Sequence, residues 1–110
     1  MKKLIYDRNI IKDYKDFYER IYVDLDGAGM NDWETFDSLG YSADKLNEFL
    51  WYCHQDNFHI IFKNFDLDAI KNAETAKNYE NYKWKLIFEV FKDITKKFPN
   101  NKIEFINDEK

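Results

Sequence analysis

A three-stranded parallel sheet with helices packed around it, an α/β fold, is what the order of segments in this chain predicts. Three short runs have strand length and strand composition: Lys3-Leu4-Ile5-Tyr6, Phe58-His59-Ile60-Ile61-Phe62 and Ile103-Glu104-Phe105-Ile106. Segments with helical apolar periodicity lie between them. Strands that alternate with helical crossovers form parallel sheets with right-handed connections, so the reading is β-α-(α)-α-β-(α)-α-β.

Each element has a local reason. The first strand closes at the turn-prone Asp7-Arg8-Asn9. Tyr14, Phe17, Tyr18, Ile21 and Leu25 then form one apolar stripe of a helix, with Asp13 as N-cap and Asp16 at its third position. Asp26-Gly27-Ala28-Gly29 stops that helix. Trp33, Phe36 and Leu39 recur every third residue, which fits a short helix or an ordered turn over 30–39, broken by Gly40. Ser42 caps a further helix over about 43–54, with Asp44 in the first turn where the helix dipole favours an acid. The central strand is β-branched and aromatic, the composition of a buried strand. Residues 66–71 suit a short helix and 72–78 a polar connection. Trp84, Ile87, Phe88, Phe91, Ile94 and Phe98 outline a long helix that Pro99-Asn100-Asn101 ends, and 107–110 is a polar tail.

At 110 residues the chain reads as a single domain, large enough to bury one core. Aromatics make up 19% of it, more than a core requires, so part of that surface is expected to face outward. Its one cysteine, Cys53, can form no internal disulfide and fits a reducing compartment. The basic start lacks the apolar run of a signal peptide, and no stretch approaches the roughly 20 apolar residues that span a bilayer. A cytoplasmic location is expected, with no membrane partner.

Charge is unevenly placed. Residues 24–56 carry Asp24, Asp26, Asp32, Glu34, Asp37, Asp44, Glu48 and Asp56 against Lys45, a net charge of −7 in a chain whose total is −4. The same window holds Trp33, Phe36, Tyr41, Phe49, Trp51 and Tyr52. Such a stretch repels nucleic acid and suits a basic protein partner: charge steers the encounter and aromatics supply contact energy. On a helical wheel of about 100° per residue, Leu46, Phe49, Leu50 and Cys53 share the inward face of the 43–55 helix. Asp44, Glu48 and Gln55 fall opposite, with Asn47, Trp51 and Tyr52 beside them. Like charges at i,i+4 cost a helix a few tenths of a kcal/mol, and an exposed Trp adds nothing to a fold. Ordinary solvated acids account for the charge alone, with Trp51 folded back under residues 26–41; the aromatic between acids is what points to docking Arg or Lys.

Other chemistries find no pattern. Asp44 and Glu48 could in principle work as an acid/base pair, but an open helix face offers no cleft to separate their pKa values. Cys53, His54 and His59 straddle a helix–strand boundary and diverge, and there is no CxxC or HExxH, so no metal site is expected. Gly27-Ala28-Gly29 follows a helix and lacks the third glycine of a dinucleotide fingerprint. No nucleophile elbow or phosphate loop is present. The chain is not expected to be an enzyme, and no cofactor is implied.

The ordered set of segments resembles the barstar family of intracellular ribonuclease inhibitors over nearly the full length. Met1-Lys2-Lys3-Leu4-Ile5 and the stretch from Ile10 through Asp16-Phe17 to Leu25 align with the family's first strand and helix. After an extra stretch, Gly40 with Asp44-Lys45-Leu46-Asn47-Glu48-Phe49-Leu50 stands where the family has its inhibitory helix. Phe88-Glu89-Val90-Phe91 and the final strand match the C-terminal helix and strand. The resemblance implies a three-stranded parallel sheet and inhibition by an acidic helix and loop laid into the basic active site of a barnase-type ribonuclease, one to one. It implies Asp44 as the central acid, Glu48 in place of a second aspartate, and Asp93 near the acidic position on the last helix. Departures are Ser38 and Leu39 for paired tyrosines, Tyr41 after the glycine, Ser42 for asparagine, and Cys53 for a tryptophan. A second register sets Asn31-Asp32-Trp33-Glu34-Thr35-Phe36-Asp37 on the same motif and makes Glu34 the lead carboxylate. The Gly40 register is preferred because it runs ungapped into the central strand. The departures at Ser38, Leu39 and Cys53 lean toward an alternative, a barstar-like binding module whose basic partner is not a ribonuclease.

Overall fold

The computed structural model describes residues 2–26, 41–53, 58–74 and 77–107. Its elements are β1 (Lys2–Asp7), α1 (Tyr14–Asp26), α2 (Ala43–Cys53), β2 (Phe58–Lys63), α3 (Leu67–Lys71), α4 (Tyr79–Lys97) and β3 (Lys102–Ile106). The three strands form one parallel sheet in the order β1-β2-β3. The three-stranded parallel sheet of an α/β fold is therefore as expected, with strand ends differing by a residue. The expected short helix or turn at 30–39 lies outside the described residues.

Helix starts follow the same rule throughout. The side chains of Asp13, Ser42, Asp66 and Asn78 accept from the backbone N–H of Asp16, Lys45, Ala69 and Asn81, at 2.9, 3.3, 3.1 and 3.1 Å. Each small polar residue thus satisfies an N–H that the first turn leaves without a carbonyl. Asp16 in turn accepts from Lys12 N–H at 2.9 Å, closing the entry to α1 from the other side. At the end of β2, Asn64 has φ 65°, the left-handed region that Asn tolerates. That turn lets its N–H reach Ile106 carbonyl and its amide reach Asp7 Oδ1, tying β2 to both neighbours.

Alternation along the strands divides the sheet. Leu4, Tyr6, Phe58, Ile60, Phe62, Ile103 and Phe105 point into one core with the apolar faces of the helices. The alternate residues, Lys3, Ile5, Asp7, His59, Lys63, Lys102, Glu104 and Ile106, occupy the opposite face and are exposed or half-buried. Ile61 is the buried exception on that side. Both crossovers advance in the same direction across the sheet, so right-handed connections bring their helices to the same side. On α1 the inward stripe is Phe17, Tyr18, Ile21, Tyr22 and Leu25. Tyr14, expected in that stripe, is half-buried, and Tyr22 was not expected in it.

A single carboxylate joins the start of α1 to α4. Glu80 Oε2 accepts from Tyr14 N–H at 2.6 Å and Trp84 Nε1–H at 2.8 Å, and Arg8 Nη2 lies 3.8 Å away. Arg8 also donates to the Ile11 and Lys12 carbonyls and stacks over the Trp84 ring. Among the described residues, no helix is long and apolar enough to cross a membrane.

Two predictions follow from these ties. Glu80→Gln keeps the shape but removes the charge from a carboxylate with two donors. Urea unfolding is expected to show a loss of about 2 kcal/mol, the scale of hydrogen bonds to a charged group. The second concerns acid. Asn64, then the Asn9 N–H, hold the Asp7 carboxyl below its ordinary range, and Lys102, then His59, do the same for Glu104. Both groups are protonated less readily folded than unfolded, so their contribution is complete above the ordinary carboxylate range. It is lost as pH falls through the folded values. Melting temperature is expected to hold down to about pH 5 and to drop below about pH 4. The drop should be shallower in Asp7→Asn/Glu104→Gln; an identical profile would remove these groups as its cause.

Candidate functional site

Helix α2 forms because its sequence satisfies cap, first turn and stripe together. Ser42 caps it, Asp44 sits at its positive end, and Leu46, Phe49 and Leu50 bury completely or nearly so. The helix packs across α4 and against α1. That inward face leaves Asp44, Lys45, Glu48 and Trp51 exposed, with Asn47 half-buried at the margin. The described part of the wheel therefore orients α2 as expected. Tyr52 continues the helix and Cys53 ends it.

The acids differ in surroundings. Glu48 Oε2 lies 3.6 Å from Lys45 Nζ one turn back, an open pair between well-exposed side chains that contributes little. Asp44 forms no hydrogen bond or ion pair among the described residues. An arriving guanidinium or ammonium could meet both oxygens of Asp44 without first displacing a partner among the described residues.

Trp51 corrects one expectation. It is 41% exposed, as its position on the wheel requires, but its ring does contribute to the fold. The indole meets the Phe98 ring edge-on at 5.0 Å and 88°, and Lys97 Nζ sits 5.0 Å from an indole ring centroid. Trp51 thus leans onto the C-terminal end of α4, and Lys97 serves both that ring and the negative end of its own helix. Sequence reasoning missed Lys97 and Phe98 because they lie 46 and 47 residues beyond Trp51. The sole signal was a basic residue in the last turn of a helix beside an aromatic cap.

Tyr41 is likewise held from outside α2. Its hydroxyl donates to Glu19 Oε2 at 2.9 Å, its ring lies 6.1 Å from that of Tyr18, and Lys15 Nζ is 5.7 Å from its centroid. Residues just before α2 are therefore anchored on α1, which adds Glu19 to the acids near this end of the helix. Asp93 is exposed on α4, one turn before Lys97 and on the same side of that helix. Trp33, Glu34 and Asp37, with the register that makes Glu34 the lead acid, lie outside the described residues.

The surface is an open, anionic helix face with one pinned indole. Comparison of the chain with protein-family models, with curated proteins and with solved structures finds no match. The clefts described, of about 370 and 330 Å³, are lined by β1 with α1 and by α3 with α4 and β3, away from Asp44 and Glu48. Among the described residues, no group of three His, Cys, Asp or Glu is placed to hold a metal ion. His59 bonds Glu104 at 2.8 Å on the outer face of the sheet.

The stability consequences separate the indole from the acid. Trp51→Ala is expected to cost about 1–2 kcal/mol in urea unfolding, from the lost ring pair and cation–π contact. Asp44→Asn should stay within about 0.5 kcal/mol of wild type, because lost dipole stabilisation and relieved repulsion from Glu48 are of similar size.

Proposed function

We propose that this chain is a barstar-like protein inhibitor that binds the basic active site of a barnase-type ribonuclease and blocks access to RNA. One observation carries the reading: α2 is clamped by buried Leu46, Phe49 and Leu50 while Asp44 and Glu48 project, one turn apart, from its exposed face. A rigid helix holds the carboxylates in place before the partner arrives, so little side-chain ordering remains to oppose binding. A parallel sheet with helical crossovers, in the order expected from the family resemblance, supports the same reading.

In this mechanism Asp44 is the central contact. It enters a cleft of Arg and Lys as a phosphate would, and desolvation there strengthens the charge-assisted bonds it makes. Glu48 reaches the rim of the cleft and gives up its open pair with Lys45. Tyr41, Asn47, Trp51, Tyr52 and Asp93 complete the contact surface, and Trp33, Glu34 and Asp37 extend it through the preceding segment. The complex is one to one, and neither cofactor nor covalent step is involved. A second reading, a binding module for a basic protein that is not a ribonuclease, draws on Trp51, whose contacts with Lys97 and Phe98 leave the indole less available to a foreign guanidinium.

Titration into a barnase-type ribonuclease while following RNA cleavage tests the proposal. Stoichiometric inhibition is expected, with association slowing as salt rises. Asp44→Ala should cost about 3–5 kcal/mol of affinity, since it leaves buried cations without a partner, and Glu48→Ala about 1–2 kcal/mol. Binding of Asp44→Ala within a factor of about two of wild type would sink the assignment of Asp44. No inhibition at micromolar excess would turn the choice to the second reading.

A further inference from the structure

Among the described residues strand β1 lies at an edge of the sheet, and its backbone polarity can be read from the ladder. Arg8 N–H donates to Lys63 carbonyl at 2.9 Å, continuing the β1–β2 pairing. N–H and C=O groups alternate sides along a strand, so Leu4 and Tyr6 also turn theirs toward β2. Those of Lys3, Ile5 and Asp7 therefore point away from the sheet. The Asp7 carbonyl is taken by the Ile10 and Ile11 N–H groups, at 2.9 Å each. The remaining groups, from Lys3, Ile5 and the Asp7 N–H, find no backbone partner among the described residues.

The surroundings of this edge are shaped to receive a strand. A groove of about 370 Å³ runs beside it, lined by Ile5, Asp7 and Ile10 and bounded by Arg20 and Asp24 of α1. Ile5 and Ile10 are 58% and 68% exposed, the largest apolar exposures among the described residues, and they lie together at this edge. The strand has no proline and no bulge to discourage pairing. Lys3 is exposed and forms no ion pair among the described residues. Asp7 uses Oδ1 for Asn9 and Asn64, and Lys63, its register neighbour on β2, lies near enough to act on its charge.

We propose that β1 pairs with β1 of a second copy of this chain, antiparallel and centred on Ile5, to give a two-fold dimer with one continuous six-stranded sheet. Charge selects this occupant and this direction. Centring the two-fold on Ile5 sets Lys3 opposite the partner's Asp7 on both sides and Ile5 opposite the partner's Ile5, all on the open face. The same residues are those with outward backbone groups, so these are hydrogen-bonding pairs. They comprise a reciprocal pair at Ile5 and a bond from each Asp7 N–H to the other copy's Lys3 carbonyl. Parallel self-pairing would instead place Lys3 beside Lys3 and Asp7 beside Asp7. A lysine on an edge ordinarily deters pairing; here the strand carries its own counter-charge at the matching position. Strand pairing alone buries little area, so the dimer is expected to form and dissociate with concentration.

Sedimentation velocity from low micromolar to millimolar protein, with amide hydrogen exchange at both ends of the range, tests this. The expected result is a monomer–dimer equilibrium in which Ile5 N–H, open in the monomer, becomes protected as concentration rises. Lys3→Glu should weaken the dimer about tenfold or more by placing like charges opposite each other twice. Lys3→Glu/Asp7→Lys should restore it. Asp7→Lys also disturbs Asn9 and Asn64, so if that variant misfolds, the exchange measurement on wild type decides. Constant monomeric mass with unprotected Ile5 N–H across the range overturns the proposal and leaves the edge for an extended segment of a different protein. A dimer in which Ile5 N–H stays unprotected, or in which Lys3→Glu has no effect, overturns it as well.

Discussion

Phe62 stands where β2, paired on both sides, meets the helix layer, and its ring is within 6.3 Å of six other aromatic rings. Tyr6 comes from β1, Phe17 from α1, Phe65 from the turn after β2, Phe88 and Phe91 from α4, and Phe105 from β3. The packing has a single origin. A small parallel sheet whose crossovers both fall on one side has one face to bury and must bury it under helices. Placing aromatics at every inward position of β2 and β3 except the isoleucines meets that demand with few residues, since each ring removes a large apolar area from water.

Aromatic packing of this kind is permissive about direction, and polar ties supply what it lacks. Glu80 links the entry of α1 to α4 through Tyr14 N–H and the indole of Trp84, with Arg8 beside it. Tyr6 O–H donates to Asp24 at 2.7 Å and joins β1 to α1. Asn101 accepts from Phe58 N–H at 2.8 Å and joins the turn before β3 to the start of β2. The bonds from Tyr6 to Asp24, Phe58 to Asn101 and Tyr14 to Glu80 span 18, 43 and 66 residues of sequence, so each fixes the placement of one element against another rather than the form of either.

The anionic face of α2 depends on the same division of labour. Burial of Leu46, Phe49 and Leu50 determines which side of the helix faces water, so the exposure of Asp44 and Glu48 is a by-product of core formation. Neither acid is needed for that core, and Asp44 has no hydrogen bond or ion pair among the described residues. Lys97 and Phe98 then reach in from α4 to hold Trp51, and Glu19 with Lys15 reaches from α1 to hold Tyr41. The rim of the surface is set by elements distant in sequence, while its centre is set by α2 alone.

The same line separates what was legible in the sequence from what was not. Periodicity, caps and strand composition sufficed for the elements and for the parallel sense of the sheet. Apolar stripes dictate which face each element buries, and strands split by helices leave little choice but a parallel sheet. The orientation of Asp44 and Glu48 was legible for that reason, because it follows from a stripe within one helix. Tyr14 and Tyr22 changed places between margin and core, since a stripe fixes the buried face only to within a residue. What becomes of Trp51 could not be read, because a wheel shows that a ring is outside but not whether another element waits there. That depended on the crossing of α2 over α4, which brings Lys97 and Phe98 to it. Which strand lies at the edge, and which of its amides face outward, likewise required the sheet: strand order and register are decided by how the elements pack, not by any one of them.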